Sequence, residues 1–533
     1  MNSDSVYKAN SERRNTESPW PVAVIDVGTT SLRMQVAEIL PDGSIRRLES
    51  FSQAVSLGKD SFMSGEIKRE TIEDCVHVLR IYRERLQEYG ITDSRQIRVI
   101  ATSAVKEARN RLAFQDRIYI ATGFEIEPLD ESELHRVTYL GMLPLIEANP
   151  LLSGISVICE VSGGSTETLI LKQNDVLFSQ THRLGSLRLR KRVESYDTTD
   201  SHALSLLEGQ IDRRVSRMME NFGKLAPAFY MPPDAMIALG GDIRFAAKEI
   251  QSKAVGDRLF EVDLEKLQEF TSGILSRPVS QLATQYHFSL TDAGTLGPAL
   301  LAYCSIAKRL GLSSFYVAEF NLRDGLVQEL AGRGRWNLSV QNQISRSAIQ
   351  LGRRFQFDEA HAVKVAQMSC ALFEQLQELH GLDDRFLGIL EMAALLHEIG
   401  LFVNVRSYHK HSLYLIRNSE FFGIGDRDVE LVSLVARYHR RAAPQPSHLY
   451  YSQLTRADRV AVAKLAAILR IAKALDATRS QAVEEIQCDV VASEVSIQAT
   501  TDKDVSVEQL ELKSNRSLFR SIFGLRVTLN APN

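Results

Sequence analysis

The segment Val157–Leu171 reads VICEVSGGSTETLIL, and the fold prediction starts from it. Two apolar runs flank a group of Gly, Ser and Thr residues, a pattern that predicts two strands joined by a tight hairpin. Glu160 lies at the end of the first strand, directly before the turn. Burying a lone carboxylate costs free energy unless a partner neutralises it. The segment therefore indicates a bound cation, or a phosphate-bearing ligand with its metal.

An earlier segment, Val22–Ile39, repeats the pattern as VAVIDVGTTSLRMQVAEI. Asp26 matches Glu160, and the turn Gly28–Ser31 matches the turn Ser162–Thr166. Two such hairpins across a cleft would clamp phosphates through turn N–H groups and hydroxyls, while the acids hold Mg²⁺. The alternative is two ordinary hairpins whose Gly and Thr serve only turn geometry. The duplication favours the functional interpretation.

A third glycine turn follows an apolar strand in Ala235–Ile250, AMIALGGDIRFAAKEI. Connections of the type strand–Gly-Gly–helix are frequent, so this turn alone is a weak signal. Together with the two hairpins, it predicts a third wall of the same cleft.

Length and composition fit a globular chain of three or four domains. The 533 residues are 44% hydrophobic and 24% charged, with a formal net charge of -3. This balance argues against a nucleic-acid partner but leaves room for a local basic groove. The cysteines are scattered without a CxxC pair, which favours reduced thiols and a cytoplasmic location.

The chain start and its apolar runs carry two further expectations. Residues 1–20 are polar and predict a disordered tail without the apolar core of a secretory signal. No apolar run is long enough to span a bilayer, so we expect no membrane partner.

Five ordered motifs carry a family resemblance. They are AVIDVGTTSLRMQVAEI, VIATSAVKEARNR (Val99–Arg111), DESELHRVTYLG (Asp130–Gly141), EVSGGSTETLIL and VAEFNLRDGLV (Val317–Val327). This set resembles the Ppx/GppA family of exopolyphosphatases and guanosine pentaphosphate phosphohydrolases, within the actin/hexokinase/Hsp70 superfamily. The stretch AALLHEIGLFVNVRSYHKHSLYLIRNSEFFGI (Ala393–Ile424) resembles the long, exopolyphosphatase-like members.

The resemblance implies a duplicated, actin-like (ribonuclease H-like) two-lobe α/β half, an all-α HD-like domain and a small β-rich C-terminal domain. The expected limits are 21–141 for lobe I, 142–332 for lobe II, 340–482 for the HD-like domain and 483–533 for the C-terminal domain. Some long family members pair through such an ending, so a homodimer is a further expectation.

The family removes a terminal phosphate with Mg²⁺, and its motifs imply the site residues. Glu133 aligns with the catalytic base, and Glu131 is the alternative if the register shifts. Acids such as these also suit a helix N-terminus without catalysis. The implied metal ligands are Asp26, Glu160 and Glu167. The implied phosphate-binding residues are Gly28, Thr29, Thr30, Ser31, Lys106, Gly163, Gly164, Ser165 and Thr166.

Five positions depart from the family pattern. Glu160 replaces an Asp, Ser162 a glycine, Leu134 a second acid, Lys106 an Arg and Thr30 an Asn. A longer acid arm displaces its oxygens, while Mg²⁺ tolerates little misgeometry. Lysine is a point charge where arginine offers a bidentate fork. These changes keep open a binding protein with impaired turnover.

Two histidine-containing sets mark the helical half. His361, His397-Glu398 and Asp476 resemble the H…HD…D order of an HD domain, and a structural role is favoured over metal binding. A basic set predicts a polyphosphate channel, with a solvated basic surface as the alternative. The channel residues are Arg188, His409, His411, His439 and Arg440.

The combined prediction is a cytoplasmic, Mg²⁺-dependent exopolyphosphatase that releases terminal orthophosphate from inorganic polyphosphate. Hydrolysis of guanosine pentaphosphate (pppGpp) is the first alternative, because the two activities share their catalytic residues. A polyphosphate- or nucleotide-binding regulator without turnover is the second. The motif at Val99–Arg111 and the helical half argue against a sugar kinase.

Overall fold

The computed structural model describes residues 18–152, 154–194, 200–225, 233–256, 258–331, 338–491 and 493–531. The chain divides into two compact units, Met1–Gly334 and Arg335–Asn533. Of the predicted tail, residues 1–17 lie outside the described residues, and a strand already begins at Trp20.

Lobe I of the first unit is a five-stranded sheet with helices. The strands are β1 (Trp20–Val27), β2 (Ser31–Ile39), β3 (Ile45–Ala54), β4 (Ile97–Ala101) and β5 (Ile126–Pro128). The helices are α1 (Leu57–Ser64), α2 (Arg69–Glu88), α3 (Ser103–Glu107), α4 (Arg111–Thr122) and α5 (Glu131–Glu147). The strand order is β3-β2-β1-β4-β5. Alternate residues of β1 enter different cores, Ile25 one and Val24 the other, so the strand is buried on both faces.

Lobe II is built on a seven-stranded sheet of order β10-β11-β12-β9-β6-β7-β8. The strands are β6 (Ile155–Val161), β7 (Thr166–Lys172), β8 (Asp175–His182), β9 (Ala235–Leu239), β10 (Lys253–Ala254), β11 (Leu259–Asp263) and β12 (Ser314–Ala318). The helices are α6 (Ser186–Glu194), α7 (Asp200–Leu225), α8 (Gly241–Glu249), α9 (Leu264–Leu275), α10 (Val279–Tyr286), α11 (Leu290–Arg309) and α12 (Leu322–Ala331).

The two sheets share a repeated core, as the duplicated hairpins predict. The order β3-β2-β1-β4 in lobe I corresponds to β8-β7-β6-β9 in lobe II. Asp26 pairs across the hairpin with Arg33, and Glu160 pairs in the same way with Glu167. Both acids therefore occupy the same register position, near the carboxyl end of a central strand.

Helix α12 packs on lobe I although it follows the sheet of lobe II. Leu326 and Val327 join a core with Val22, Val24 and Val137. Helices α5 and α12 approach closely where glycine permits it, since a Cβ on Gly325 would lie 2.1 Å from the Val137 carbonyl oxygen. The predicted range of lobe II, which ends at residue 332, thus includes helix α12, which packs on lobe I. The other domain limits stay predictions.

The second unit begins with a helical bundle. Its helices are α13 (Leu338–Arg354), α14 (Glu359–Gln375), α15 (Gln377–His380), α16 (Arg385–Leu396), α17 (Tyr408–Arg417), α18 (Asp426–Arg437), α19 (Leu449–Gln453) and α20 (Arg456–Ala474). Helix α16 contacts α13, α14, α18 and α20. Its apolar sequence predicts this central position, because apolar residues around the whole helix require neighbours on every side.

The unit ends in a mixed α/β element, which corrects the predicted β-rich domain. The elements are β13 (Glu485–Val491), β14 (Glu494–Thr500), α21 (Ser506–Asn515), α22 (Ser517–Phe523) and β15 (Arg526–Asn530). The stretch VSVEQLEL alternates like a strand, but Glu508 and Leu512 are both buried. Their spacing is that of one helix face.

Two expectations concern single features of the chain. All five cysteines are free thiols. Among the described residues, no helix combines the length and the apolarity that a bilayer span requires.

Candidate active site

The carboxyl ends of four strands, two from each lobe, carry the predicted motifs. Val27 pairs with Ala101 at the end of β4, and Glu160 pairs with Leu239 at the end of β9. Helix α3 begins at Ser103, which follows β4 and Thr102. Helix α8 begins at Gly241, which follows β9 and Gly240. The VIATSAV stretch of lobe I thus corresponds to the Gly-Gly turn of lobe II. Such strand ends are where open α/β sheets bind ligands.

The two predicted phosphate-binding turns lie against each other. A Cβ on Gly163 would be 3.3 Å from Thr29 Cγ2, and a Cβ on Gly164 would be 2.5 Å from Ser103 Oγ. Only glycine allows the backbone of the second turn to approach lobe I so closely. The geometry therefore brings the turns Gly28–Ser31 and Ser162–Thr166 together, as the sequence predicts.

Each turn is closed by a backbone hydrogen bond across four residues. Gly28 N–H donates to the Ser31 carbonyl (3.1 Å), and Ser162 N–H donates to the Ser165 carbonyl (2.8 Å). The Ser162 hydroxyl also donates to the Ser165 carbonyl (3.1 Å). The serine that departs from the family pattern therefore folds its extra group back into its own turn.

Two predicted phosphate-binding side chains make internal hydrogen bonds. The Ser165 hydroxyl donates to the Glu167 carboxylate. The Thr166 hydroxyl donates to the Leu184 carbonyl, and Thr166 has no exposed surface. The predicted role of Thr166 is corrected accordingly, because its side chain faces the lobe II interior and not a ligand.

The three predicted metal ligands form an acidic group with raised pKa values. Burial raises the pKa of Asp26, against the opposing effect of Arg323. Burial raises the pKa of Glu160 against the charge of Arg244, and the charge of Asp26 raises it further. Burial, together with the charge of Glu160, raises the pKa of Glu167 to about 8. Each carboxylate therefore disfavours the ionisation of the next.

The chemistry of these carboxylates suits a hard cation such as Mg²⁺, but among the described residues their ligand atoms do not all lie within 4.8 Å of one another, so a bound ion would have to draw them together. Asp26 Oδ1 is buried and has no hydrogen-bond partner within the described structure. An unpaired buried carboxylate oxygen is costly, and a cation bound by several carboxylates would remove both the desolvation penalty and their repulsion. Carboxylate oxygens are also the ligands that Mg²⁺ prefers. Magnesium binding itself stays a prediction.

Three arginines of the site were not predicted as site residues. Arg323 Nη1 lies 3.6 Å from Asp26 Oδ2, and its side chain is 10% exposed. Arg33 sits opposite Asp26 on β2, and its charge lowers the pKa of both Asp26 and Glu160. Arg244 follows the third turn. Arg33 and Arg323 lie within two of the quoted motifs, and Arg244 follows the third glycine turn, but the three segments are far apart in the sequence and no local pattern shows that these side chains meet.

Glu133, the predicted base, is buried at the start of α5. Its carboxylate accepts the Asp130 N–H (3.1 Å), and Asp130 and Glu133 form a capping box. Burial raises the pKa of Glu133. Lys106 Nζ lies 2.9 Å from Asp130 Oδ1, at the same helix start. Glu131 is exposed, and its charge raises the pKa of Glu167, so this alternative base is electrostatically coupled to the acidic group.

Arg188 joins the two lobes. Its Nε donates to the Gly164 carbonyl (2.7 Å), and its Nη2 donates to Glu107 (2.6 Å). Its guanidinium also lies over the Phe62 ring, 4.1 Å from the centroid. Arg188 therefore anchors the second turn to lobe I, and its predicted channel role would require these bonds to be shared with a ligand.

The other channel residues lie in the second unit. His439 is 2% exposed, and its Nε2 lies 3.1 Å from the Tyr408 hydroxyl. This burial corrects its predicted role, since an enclosed imidazole does not contact a polyanion. Burial, with the charge of Arg440, lowers the pKa of His409 to about 4, so His409 is neutral at pH 7. His411 and Arg440 are partly exposed, and their role stays a prediction.

The structure brings the predicted HD-type residues together. His361 Nδ1 lies 2.8 Å from Asp476 Oδ2, and His397 Nδ1 lies 2.6 Å from the Ala394 carbonyl oxygen. The ligand atoms of His361, His397 and Glu398 all lie within 4.8 Å of one another. The Nε2 atoms of both histidines are buried without a hydrogen-bond partner in the described structure.

A divalent cation nevertheless does not fit this cluster as it stands. Lys473 Nζ lies 2.8 Å from Glu398 Oε1, and Arg479 Nη2 lies 2.7 Å from Glu398 Oε2. Burial raises the pKa of Glu398, but the surrounding cationic groups outweigh it and hold the pKa below the ordinary range. Both oxygens of the carboxylate are therefore already paired with side-chain cations, which would repel a metal.

The first unit is a two-lobe, actin-like α/β fold with glycine turns and buried acids between its lobes. A family model described as the Ppx/GppA phosphatase family matches residues 36–333, and a model described as Ppx/GppA phosphatase, domain III matches residues 344–518. The first model covers more than half of the 533 residues, so the chain belongs to the Ppx/GppA phosphatase family.

Individual relatives agree with this assignment. A guanosine-5'-triphosphate,3'-diphosphate pyrophosphatase of Photobacterium profundum is 22% identical over 86% of this chain and 88% of its own length. The structure of an exopolyphosphatase from Cytophaga hutchinsonii has 18% identity and a TM-score of 0.52, covering 59% of this chain and 99% of that one. An exopolyphosphatase-like protein has 19% identity and a TM-score of 0.51, covering 60% and 98%. The two structures support the fold of the first unit.

Proposed function

We propose that this protein hydrolyses the terminal phosphoanhydride bond of inorganic polyphosphate and releases orthophosphate. One observation carries the proposal: two glycine turns face each other beside the buried acids Asp26, Glu160 and Glu167. Turn N–H groups suit phosphate oxygens, and the acids suit the cation that accompanies them. Arg33, Arg244 and Arg323 add positive charge for a polyanion.

The residues divide the work of binding a phosphate chain. The middle residues of the two turns, Thr29, Thr30, Gly163 and Gly164, would hold the terminal phosphates through backbone N–H groups, since the N–H groups of Gly28 and Ser162 close the turns. Asp26, Glu160 and Glu167 would hold Mg²⁺, which would neutralise phosphate charge when bound. Arg323 and Arg244 would position the outer oxygens, and Lys106 would contribute a point charge beside α5. Most of the rate acceleration in such chemistry comes from positioning and charge stabilisation.

The hydrolytic step needs an oriented water. The water oxygen forms the new bond to the terminal phosphorus, and the bond between that phosphorus and the bridging oxygen breaks. The shortened chain leaves with the bridging oxygen. Glu133 is the proposed acceptor of the water proton, because burial raises its pKa towards the range of an effective general base. Glu131 is the second candidate, because its charge acts on Glu167.

The first experiment compares orthophosphate release from long-chain polyphosphate by wild type, Glu133→Gln and Glu131→Gln in Mg²⁺. Glutamine at residue 133 keeps an acceptor for the Asp130 N–H, so the helix cap is retained while the base is lost. Loss of the base should lower the rate by about 10²–10⁴-fold. A lower rate in Glu131→Gln alone would assign the role of general base to Glu131. Wild-type rates in both variants would exclude both residues as the base.

Hydrolysis of pppGpp is the second candidate function. It is favoured by the Photobacterium profundum relative, whose similarity extends over 86% of this chain and includes the second unit. Competition decides between the substrates: each is offered at equal concentration, and the ratio of kcat/KM values identifies the preferred one. A third outcome, tight binding of either ligand by wild type without phosphate release, would replace the hydrolase with a regulator and direct attention to Glu160 and Ser162.

A further inference from the structure

A second pocket opens in the first unit, away from the acidic group. Its volume is about 370 Å³, and none of its lining residues belongs to the site described above. It is bounded by β2 and β3 of lobe I, by the second half of α5, by α12, and by the segment before β11 of lobe II. Both lobes, together with helices α5 and α12, therefore contribute to one cavity, and a cavity between lobes is a common location for a small-molecule site.

A pair of arginines and one carboxylate form the polar side of this pocket. Arg47 Nη2 lies 2.5 Å from Asp324 Oδ1, and Arg258 Nη2 lies 3.1 Å from Asp324 Oδ2. Gln35 Nε2 donates to Asp324 Oδ1 (3.3 Å). The arginine side chains are 48% and 40% exposed, so a ligand in the pocket has access to them. Among the described lining residues, two guanidinium groups thus share one carboxylate.

The remaining walls are largely apolar. They include Ile45, Pro144, Leu145, Val255 and Val327. A bare phosphate or a polyphosphate chain would leave these side chains without a partner, whereas an organic body would cover them. The complementary ligand therefore combines an anionic group for the guanidinium forks with an apolar or aromatic body for the walls.

The pocket is connected to the candidate active site through consecutive residues of α12. Asp324 faces the pocket, while its neighbour Arg323 lies 3.6 Å from Asp26. On β2, Gln35 lines the pocket two residues after Arg33, which sits opposite Asp26. A ligand that bridges Arg47 and Arg258 would therefore join the lobes beside the segment that carries Arg323.

We propose that this pocket binds a small organic anion, with an apolar or aromatic body and a carboxylate or phosphate group held by Arg47 and Arg258. This binding is independent of the proposed phosphatase activity and holds even if that activity fails. The carboxylate and phosphate forms share the same recognition chemistry, so the test compares them directly.

The test uses the fluorescent anion 1-anilinonaphthalene-8-sulfonate, which has an aromatic body and one sulfonate, as the probe. The full-length protein is titrated as wild type, Arg47→Gln and Ala148→Trp. Ala148 lines the pocket at the exposed end of α5, so tryptophan there fills the cavity without entering the core. Arg46→Gln is the matched control for the charge, because neighbouring strand residues point to opposite faces. Ala113→Trp, on the exposed surface of α4, controls for the added ring.

We expect saturable binding by wild type and both controls, and binding weaker by about tenfold or more in Arg47→Gln and Ala148→Trp. Displacement of the probe by benzoate or by phenyl phosphate then shows which anionic group is preferred. Equal probe affinity in all five proteins, or no saturable binding by wild type, overturns the proposal. Thermal unfolding of each variant confirms that a loss of binding is not a loss of fold.

Discussion

The Tyr303 hydroxyl accepts the Val161 N–H at 2.7 Å and donates to the Leu239 carbonyl, and so ties together two strand ends beside the candidate active site. Val161 follows Glu160, and Leu239 precedes the third glycine turn. Tyr303 has no exposed surface. One buried side chain thus fixes the spacing between a predicted metal ligand and a predicted wall of the cleft.

Tyr303→Phe should therefore destabilise the first unit and slow phosphate release. The substitution leaves a buried N–H and a buried carbonyl without their partner, which costs about 1–3 kcal/mol of unfolding free energy. Urea denaturation measures the stability, and orthophosphate release measures the activity. Tyr119→Phe is the control, since Tyr119 is 58% exposed. Wild-type stability in Tyr303→Phe would show that water replaces the hydroxyl.

Arg323→Gln should weaken substrate binding and strengthen Mg²⁺ binding. Removing one positive charge beside Asp26 makes the site more attractive to a cation and less attractive to a phosphate chain. We expect the half-saturating polyphosphate concentration to rise by about tenfold or more, while the half-saturating Mg²⁺ concentration falls. Steady-state kinetics at varied Mg²⁺ separates the two effects.

Arg85→Gln is the control for this measurement, because Arg85 is half exposed and pairs only with Glu88 among the ion pairs of the described residues. Arg323→Lys should be intermediate, since lysine keeps the charge but loses the planar fork. If Mg²⁺ and substrate affinities change in the same direction, Arg323 acts through the fold and not through its charge.

Lys473→Met should create a metal site in the second unit. In wild type the ammonium is paired with Glu398, where it supplies the charge that a metal would bring. Without it, His361, His397 and Glu398 would offer two imidazole nitrogens and one oxygen to an ion. Co²⁺ titration checks this, because four-coordinate Co²⁺ with nitrogen ligands absorbs visible light far more strongly than octahedral Co²⁺ bound to oxygens.

The double variant Lys473→Met/His361→Ala should lose the gained absorption. Strong bands in wild type would mean that a metal displaces Lys473 from the carboxylate and that the native cluster does accept a divalent cation. Absence of bands in both wild type and Lys473→Met would mean that Arg479, which also pairs with Glu398, suffices to exclude the ion.

The hairpins were predictable because their information is local. An acid before a glycine turn, repeated once, needs only alternation and turn chemistry to be recognised, and the register Asp26–Arg33 and Glu160–Glu167 follows from hairpin geometry. The grouping of the three arginines was not predictable. Arg33, Arg244 and Arg323 come together only through the strand order of the two sheets and because α12 packs back on lobe I. No short-range pattern encodes that meeting.

Two corrected residues show a related limit. The string RYHRR gives no sign of which residue faces inward, yet His439 is buried and Arg440 is partly exposed after the end of α18. Thr166 lies in a turn whose hydroxyls look equivalent in sequence, but the pleat directs it to the Leu184 carbonyl. Both orientations depend on one-residue changes of face, which composition does not determine.

The last prediction concerns stability in acid and depends on His135 of α5. Its ring is 3% exposed, and its Nε2 lies 3.1 Å from Thr181 Oγ1. Burial lowers the pKa of His135 from 6.5 to about 3. Between these two values the unfolded chain binds a proton that the folded chain does not, so stability falls as the pH drops below 6.5. When the pH falls from about 7.5 to about 5.5, His135 should lower the free energy of unfolding by about 1.4 kcal/mol. His182, His397 and His409 also have lowered pKa values and add to the loss in every variant. Urea denaturation at both pH values should therefore show the same total loss in wild type and in the exposed control His77→Gln, and a loss smaller by about 1.4 kcal/mol in His135→Gln. An identical pH dependence in all three proteins would mean that His135 remains protonated inside the fold.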